Sequence, residues 1–498
     1  MAYLGLDIGT TTCKATVIDK EGNVLSRAQA EYDLIIPKPG YVELSGDVIW
    51  QNVKTVLKRA AAGSAEPIEA IAIASFGEAF VPLDSDGNII HNSIYFSDIR
   101  GTEEAADILA KIDESELYRT AGVPINTIYT LNKLLWLKKN KPEVYNKTDK
   151  FLLYCDFICY KLSGERKLDY SLASRTMFLD YSAKQWSSKI LNLFGIDVEK
   201  FSKPVPSGSV VGQVLPNIAQ ELGLNSNTML VAGGHDQVCA ALGAGVLNKG
   251  ESVDGIGTVE CLTVLLKGLD NLDTMRGYNF NVEPYVLEGE YVTLAFNNTA
   301  GAVLKWYRNT IDRERSFAAK QAGTDIHAIM ESECPPGPTG LLLMPHFAGS
   351  GTPYLDSNSS GALLGLKLST TKGELYKACM EGINFEMLFN AELLKRCGTD
   401  IKSITCAGGG SNSAMLLQIK ADIMGLPVRK LKVLESGTIG LAMLCAVACG
   451  DYASLKDAAK QFVRIDMEFS PHSKNHEIYM EKFQAYKRIY NAVKQIGI

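Results

Sequence analysis

The sequence predicts an α/β protein built from two similar domains, and three observations support this prediction. Short β-rich segments alternate with longer amphipathic segments, as in YLGLDIG, CKATVID, AIAIASFG, FLLYC, MLVAGG, SVDGIGT, LTVLL, SITCAGGG and LPVRKL, which is typical of α/β layering. The length of 498 residues exceeds that of one ordinary domain. The third observation is a repeat: LDIGTTTCKATVID and SVDGIGTVECLTVL each combine a strand, an aspartate, a Gly-Thr turn and a second strand.

The spacing of this repeat predicts where the domains divide. Gly9 and Gly257 lie 248 residues apart, almost half of the chain. Such spacing is typical of a duplicated fold, and it predicts domains over residues 1–245 and 246–498. The alternative interpretation is two unrelated tight hairpins, because a Gly-Thr turn between strands also arises by chance.

Composition excludes several classes of function. The 50 Lys and Arg residues stand against 56 Asp and Glu residues, for a net charge of −6, so no overall basic field exists to bind nucleic acid or an anionic membrane. No apolar run has the length of a membrane span, and the first residues lack a secretory signal pattern. We therefore expect a cytoplasmic protein that binds neither nucleic acid nor a membrane. Its expected partners are a small-molecule substrate and a second copy of the chain, as a homodimer.

Cysteine and histidine do not predict a metal centre. The eleven cysteines and six histidines contain no Cys-x2-Cys pair and no cluster at zinc spacing. Cys155 and Cys159 share one helix face, as do Cys445 and Cys449, and cysteine at this spacing usually packs as a small apolar side chain.

The first hairpin has the composition of a phosphate-binding turn. Gly9 allows close approach to the backbone, and Thr10, Thr11 and Thr12 supply hydroxyl groups. Asp7 ends an apolar strand, where a carboxylate needs a partner or a cation, and Mg²⁺ bound to phosphates is the natural candidate. The sequence has no Walker lysine motif, no dinucleotide-binding glycine motif and no protein-kinase motif set.

Two further segments combine a strand end with ligand-binding chemistry. The triplet Gly408, Gly409 and Gly410 precedes a helix that we expect to begin at Asn412. Glycines at this place let a flat ligand reach the backbone beside the N-terminus of the helix. The alternative interpretation is a plain turn between a strand and a helix. In MLVAGGHDQVCAALGAGV, Asp236 could accept a proton from a hydroxyl group that attacks a phosphoryl group. The same aspartate could simply cap the N-terminus of a helix predicted over 237–247.

These segments together resemble the FGGY family of carbohydrate kinases. The likeness runs through the whole chain in the family's order: GLDIGTTTCKATVID, PGYVELSGDVIWQNV, YTLNKLLWLKKN, CDFICYKLSGERKLDYSLASRT, GGHDQVCAALGAG, GIGTVECLTV, PHFAGSGTPYLDSNSSGALLGL, ELYKACMEGINFEM, AGGGSNSAMLLQIKADIMGLPV and ESGTIGLAMLCAVACG. The resemblance implies the duplicated ribonuclease H-like ATPase fold of actin and hexokinase, with a central cleft. It also implies an ATP-dependent phosphotransferase that acts on an alcohol group.

The resemblance implies a role for each motif. Asp236 would be the catalytic base and would contact the sugar together with Gln237, and Asp7 and Asp236 would hold Mg²⁺. The nucleotide would be bound by residues of three motifs: Asp7, Gly9, Thr10, Thr11, Thr12 and Lys14; Gly257 and Thr258; Gly408, Gly409, Gly410 and Asn412.

The substrate face departs from the relatives that the resemblance suggests. In SFGEAFVPLDSDGNIIHNSIYFSDIRG, the resemblance places Gly77, Glu78 and Asp98 near the sugar. Glycerol kinases carry Glu at the position of Glu78 and xylulokinases carry His, but Gly77 stands where glycerol kinases carry Arg. Plain glycerol is therefore disfavoured, and several carboxylates disfavour an acidic sugar. The alternative for Glu78 is a surface acid at a turn.

These observations predict a kinase for a small sugar or polyol, with a ketopentose such as xylulose or ribulose as the acceptor. One alternative is a kinase for glycerol, another polyol or a signalling sugar. The other is a non-catalytic, actin-like protein that uses ATP to switch conformation, which would have no need of a base at Asp236.

Overall fold

The computed structural model describes residues 1–433 and 435–497. Its strands are β1 (Ala2–Ile8), β2 (Thr12–Asp19), β3 (Val24–Glu31), β4 (Glu43–Leu44), β5 (Ile68–Ser75), β6 (Phe80–Leu83), β7 (Ser93–Ile94), β8 (Lys150–Leu153), β9 (Lys167–Asp169), β10 (Leu179–Asp180), β11 (Gln185–Trp186), β12 (Lys203–Val205), β13 (Val210–Gln213), β14 (Met229–His235), β15 (Glu251–Ile256), β16 (Glu260–Leu265), β17 (Glu283–Pro284), β18 (Tyr291–Asn297), β19 (Leu342–Met344), β20 (Ala362–Leu364), β21 (Ser403–Ala407), β22 (Val428–Leu431) and β23 (Ile465–Phe469). Each segment that the sequence predicts as β-rich contains one of these strands, so that prediction is confirmed.

Helices separate most of these strands. They are α1 (Gly46–Ala62), α2 (Thr102–Leu109), α3 (Glu114–Ala121), α4 (Thr130–Asn140), α5 (Pro142–Lys147), α6 (Tyr154–Ser163), α7 (Tyr170–Ser174), α8 (Ser188–Leu193), α9 (Pro216–Leu222), α10 (Asp236–Gly243), α11 (Leu272–Gly277), α12 (Gly301–Thr310), α13 (Arg313–Ala322), α14 (Ile326–Ser332), α15 (Lys372–Arg396), α16 (Ala414–Met424), α17 (Ser436–Ala448), α18 (Leu455–Phe462), α19 (Ser473–Tyr486) and α20 (Ile489–Ile496). Short 3-10 turns cover Val198–Lys200 and Gly409–Asn412.

The chain forms two compact units, each of which gathers separate stretches of sequence. The first unit contains Met1–Leu247, Asn281–Val292 and Glu435–Val463, and the second contains the remaining described residues. Most of the first unit precedes Leu247, and its later stretches come from the part of the chain that the sequence assigns to the second domain.

The main sheet of the first unit has the strand order β13-β14-β5-β1-β2-β3. Strands β14, β5 and β1 are parallel, whereas β1 and β2 form an antiparallel hairpin. The central strands are apolar and buried, because helices pack on them: α1 against β2 and β3, and α17 against β1 and β5. The core therefore lies between these helices and the sheet, next to the carboxyl ends of β1, β5 and β14.

The second unit repeats this order. Six consecutive strands of its seven-stranded sheet run β23-β22-β21-β15-β16-β18, and β17 follows β18 at the edge. Strands β15 and β16 form the hairpin, and β21 and β22 are parallel to β15. The outer strand β23 is antiparallel to β22, just as β13 is antiparallel to β14. Two sheets with one order and one set of orientations confirm the predicted duplication of an α/β fold.

Within residues 1–433 and 435–497, no helix combines the length and the apolar character that crossing a bilayer requires.

Candidate active site

Three parallel strands of the first unit end at one edge of its sheet. Ile8 of β1 pairs with Ser75 of β5, and Ser75 pairs with His235 of β14. The residues that follow parallel strands at their carboxyl ends commonly build the ligand site of an α/β sheet. The fold thus brings the first phosphate hairpin, the segment with Glu78 and the start of α10 with Asp236 to this edge.

Asp7 carries an unsatisfied carboxylate oxygen. Its Oδ1 atom is buried and accepts no hydrogen bond. Burial and then the negative charge of Asp236 raise the pKa of Asp7 to about 7, against the opposing effect of Lys14, which lies opposite Asp7 in the hairpin. A buried carboxylate that lacks a donor and lies near a second carboxylate is suited to a cation.

The tip of this hairpin is fixed by hydrogen bonds to Gly9, and its threonine residues are partly exposed. The N–H of Gly9 donates to the carbonyl oxygen of Thr12 over 2.9 Å, and the hydroxyl group of Tyr32 donates to the carbonyl oxygen of Gly9. Thr11 is exposed, while Thr10 and Thr12 are half-buried. The tip is therefore a fixed turn that presents backbone and hydroxyl groups, as a phosphate site requires.

Asp236 lies in the first turn of α10 rather than at its cap. The cap residue is His235, so the predicted N-cap role of Asp236 is wrong. The helix also ends at Gly243 instead of residue 247, because Gly245 has a φ of 79° and the chain turns away there. The Oδ1 atom of Asp236 accepts the N–H of Gln237 over 2.6 Å, and about a quarter of its side chain (28%) remains exposed.

His235 connects Asp236 to a buried acid that the motifs did not reveal. Its Nε2 atom lies 3.2 Å from Oδ1 of Asp236, and its Nδ1 atom lies 2.8 Å from Oε1 of Glu283. Burial acts to lower the pKa of His235, but the charges of Glu283 and Asp236 raise it to about 9. The only sequence signal for Glu283 is an acid inside the largely apolar stretch FNVEPYVL.

Arg175 continues this series of contacts to Glu78. Its Nη1 atom lies 3.5 Å from Oε2 of Glu283, and its Nε atom donates to Oε1 of Glu78 over 2.7 Å. A second donor of the same guanidinium, Nη2, also bonds Oε1 of Glu78. Glu78 is only 4% exposed, so the surface-acid interpretation is wrong. A continuous network of charged side chains thus joins Glu78 to Asp236.

Gly77 leaves the space that Arg175 occupies. A Cβ atom at Gly77 would lie 2.9 Å from Cγ of Arg175, which is closer than real Cβ contacts allow. Gly77 stands where glycerol kinases carry Arg, but a guanidinium still lies beside Glu78, and it comes from Arg175.

Asp98 has no free carboxylate surface. Oδ1 accepts the backbone N–H and the Nε–H of Arg100, and Oδ2 accepts Nη2–H of Arg100 and the N–H of Val42, all within 2.9 Å. Its side chain is wholly buried. The direct sugar contact expected for Asp98 stays a prediction, and it would require one of these bonds to break.

The second hairpin, in the second unit, is fixed by the start of α12. The carbonyl oxygen of Gly257 accepts the N–H of Gly301 over 3.0 Å, and that of Thr258 accepts the N–H of Ala302 over 3.1 Å. The tip itself closes through a 2.9 Å bond from Gly257 N–H to the carbonyl oxygen of Val259. Like the first hairpin, it is a preformed turn.

The three glycines after β21 have different surroundings. Cβ atoms at Gly408 and Gly410 would lie 2.8 Å and 2.3 Å from atoms of Ile256, whereas a Cβ atom at Gly409 would meet nothing within 4 Å. Gly408 and Gly410 therefore allow close packing, and only Gly409 faces open space.

The helix after these glycines begins later than predicted. Asn412 is exposed and ends the 3-10 turn, whereas α16 begins at Ala414 with the Ser413 hydroxyl accepting the N–H of Leu416. Serine at this position competes well as a cap, and this explains the two-residue difference.

Among the residues that the structure describes, no group of three or more His, Cys, Asp or Glu side chains could hold a metal ion.

Comparisons with known proteins identify the family. The model of the FGGY family of carbohydrate kinases matches residues 2–243 with its N-terminal domain and residues 256–449 with its C-terminal domain. The chain is 30% identical over 497 residues to the xylulose kinase of Bacillus subtilis (strain 168), covering 99% of this chain and 97% of that protein. It is 28% identical over 515 residues to the autoinducer-2 kinase of Enterobacter sp. (strain 638), covering 100% and 95%.

A solved structure supports the fold. The ligand-bound xylulose kinase from Lactobacillus acidophilus superimposes with a TM-score of 0.89 at 24% identity, covering 99% of this chain and 98% of that one. The full-length family match, the relatives and the duplicated sheets agree. The chain belongs to the FGGY family of carbohydrate kinases and is an ATP-dependent sugar kinase.

Proposed function

We propose that this kinase transfers the γ-phosphoryl group of ATP to a hydroxyl group of a neutral ketopentose, with xylulose as the first candidate. The observation that carries the proposal is the full-length similarity to xylulose kinases, at 30% identity for the Bacillus subtilis protein. Self-association as a homodimer stays a prediction.

The charges of the first unit favour a neutral acceptor. Arg175 is engaged by both Glu78 and Glu283, so its positive charge is already balanced. A substrate carboxylate would then meet the negative charge of Asp236, and Arg175 would have to leave one of its two acidic partners to pair with it. Sugar hydroxyl groups, in contrast, can donate hydrogen bonds to these carboxylates.

Asp236 is the proposed general base. It is partly exposed at the start of α10, and its Oδ1 atom is fixed by the N–H of Gln237 and by His235. As the sugar oxygen bonds to the γ-phosphorus and ADP leaves, the hydroxyl proton passes to the carboxylate of Asp236. His235, held by Glu283, orients that carboxylate.

The residues also fit a bound Mg²⁺ ion. Asp7 offers a buried Oδ1 atom with no hydrogen-bond partner, and Asp236 adds a second negative charge nearby. Mg²⁺ is typically held by one or two carboxylates, with phosphate oxygens and water completing its coordination. We propose that Asp7 and Asp236 hold the ion, which would neutralise phosphate charge.

We assign ATP contacts to three motifs. The first hairpin (Asp7, Gly9 to Thr12, with Lys14) and the second hairpin (Gly257 and Thr258) supply N–H and hydroxyl donors for phosphates. The glycine motif (Gly408 to Gly410, with Asn412) supplies the adenosine surface. Support comes from the open space at Gly409 and the exposure of Asn412.

The glycine motif yields a matched pair of variants. In Gly409→Ala the new methyl group enters open space, so the protein should fold normally while the KM for ATP rises about tenfold, which corresponds to about 1.4 kcal/mol. In Gly410→Ala the methyl group would clash with Ile256, so the melting temperature should fall as well. Steady-state kinetics and thermal melts measure both. An unchanged KM for ATP in Gly409→Ala would remove Gly409 from the adenosine surface.

A second candidate acceptor comes from another relative. The chain is 28% identical to an autoinducer-2 kinase over its full length, and Glu78 departs from the His that xylulokinases carry. Release of ADP by the purified enzyme should be measured with xylulose, ribulose, autoinducer-2, glycerol and gluconate. We expect the highest kcat/KM with xylulose or ribulose and the lowest with gluconate. A clear preference for autoinducer-2 or gluconate would contradict the ketopentose assignment.

A further inference from the structure

Three oppositely charged side chains are buried together in the second unit. The Nζ atom of Lys420 lies 2.5 Å from Oδ2 of Asp254 and 2.7 Å from Oε1 of Glu260. The Lys420 side chain is 1% exposed and both carboxylate side chains are fully buried. We call Asp254, Glu260 and Lys420 the buried triad.

The triad joins two motifs that are far apart in sequence. Asp254 lies on β15, three residues before Gly257, and Glu260 opens β16, two residues after Thr258. Because Ile256 pairs with Glu260 in an antiparallel ladder, the side chains of Asp254, Ile256 and Glu260 share one face. Lys420 belongs to α16, the helix that follows the glycine motif.

The same two motifs also touch directly. Ile256, the last residue of β15, packs so closely on Gly408 and Gly410 that neither position has room for a Cβ atom. The hairpin and the glycine motif are therefore connected twice, by apolar packing at Ile256 and by charge at Lys420.

Stability alone does not explain buried charges at this position. Removing two carboxylates and an ammonium group from water costs free energy. A protein with well-packed apolar side chains in their place is often as stable or more stable. Oδ1 of Asp254 and Oε2 of Glu260 are buried without a hydrogen-bond partner, which adds to the cost. Burial and then Asp254 raise the pKa of Glu260, against the opposing effect of Lys420. What the triad provides is a directional link between α16 and both strands of the hairpin.

We propose that Lys420 is a positioning residue for ATP, which fixes the distance between the phosphate-binding hairpin at Gly257 and Thr258 and the adenosine surface at the glycine motif. This inference rests on the proposed assignment of those two motifs. A ligand that touches both motifs gains affinity from their fixed spacing, whereas a ligand that touches one motif does not.

The test compares a whole nucleotide with its parts. Adenosine and tripolyphosphate are measured as inhibitors competitive with ATP in the wild type and in Lys420→Met. We expect the KM for ATP to rise about tenfold or more, the inhibition constants of adenosine and tripolyphosphate to change less than about twofold, and the KM for the sugar to stay constant. Equal losses for ATP and both fragments would show general damage and overturn the proposal, as would an unchanged KM for ATP.

Two further variants separate positioning from folding. Lys420→Met leaves two buried carboxylates unpaired, so the triple variant Asp254→Asn, Glu260→Gln, Lys420→Met removes all three charges and should regain melting temperature without regaining ATP affinity. The matched control is Lys482→Met, since Lys482 also pairs with a buried acid, Glu381, over 2.6 Å in the same unit. It should lower the melting temperature and leave the KM for ATP unchanged. A triple variant that recovers both properties would contradict the positioning role.

The outcome also distinguishes this inference from the motif assignment. If Gly409→Ala weakens ATP binding and Lys420→Met does not, the motif assignment stands and the positioning role fails. If neither substitution affects ATP, the assignment of the glycine motif itself fails, and the positioning role fails with it.

Discussion

Replacing Asp236 by Asn should lower turnover by about 10²–10⁴-fold while ATP binds almost as tightly as before. Loss of a general base typically costs this much, and the amide of Asn keeps the size of the side chain. An amide oxygen can still accept the N–H of Gln237, which now bonds Oδ1 of Asp236 over 2.6 Å. It can also ligate Mg²⁺ beside the unchanged carboxylate of Asp7. Single-turnover kinetics measure the chemical step, and calorimetry measures ATP binding.

Asp47→Asn is the matched control for this variant. Asp47 also lies in the first turn of a helix in the first unit, α1, and it is exposed. Both substitutions remove one negative charge from the favourable N-terminal end of a helix, so both should cost similar, small amounts of stability. Turnover should fall only in Asp236→Asn. Comparable turnover in the two variants would exclude Asp236 as the base.

Replacing Glu78 by Ala should weaken sugar binding and destabilise the protein at the same time. A charge-assisted hydrogen bond from a sugar hydroxyl is worth about 1.5–3 kcal/mol, so the KM for the sugar should rise about 10- to 100-fold with little change in the KM for ATP. Stability should fall by about 3–5 kcal/mol, because the buried guanidinium of Arg175 loses the partner that accepts two of its hydrogen bonds. Kinetics and chemical denaturation measure the two effects.

The double variant Glu78→Ala, Arg175→Met separates the two effects. It removes both members of the buried ion pair, so it should regain much of the lost stability. If Glu78 binds the sugar directly, the KM for the sugar stays high in the double variant. If Glu78 serves only as the partner of Arg175, the KM returns toward the wild-type value, and Glu78 then leaves the proposed substrate site.

Several elements could be predicted from the sequence because their signals are local. The β-branched runs of β1, β5 and β14 specify buried strands, and the glycine and threonine residues after β1 specify a tight turn. Asp236 could be selected because it directly follows a strand and stands where a helix begins. The observed start of α16 lies two residues after the predicted one. Asn412 and Ser413 are both good N-cap residues, and the sequence alone does not show which of them caps the helix.

The α/β class, the duplication and the motifs at the strand ends can be predicted from the sequence, because they follow from short-range patterns of hydrophobicity and turn chemistry. Which of the acids retain a free oxygen depends on the tertiary structure. Asp7 and Asp98 are both acids near strand or turn ends, but Oδ1 of Asp7 has no donor while Asp98 is saturated by Arg100 and Val42. The pairing of Glu283 with His235 and of Lys420 with Asp254 joins residues 48 and 166 positions apart. The charge and the availability of a carboxylate depend on its desolvation and on its neighbours in space, and folding brings those neighbours from distant parts of the chain.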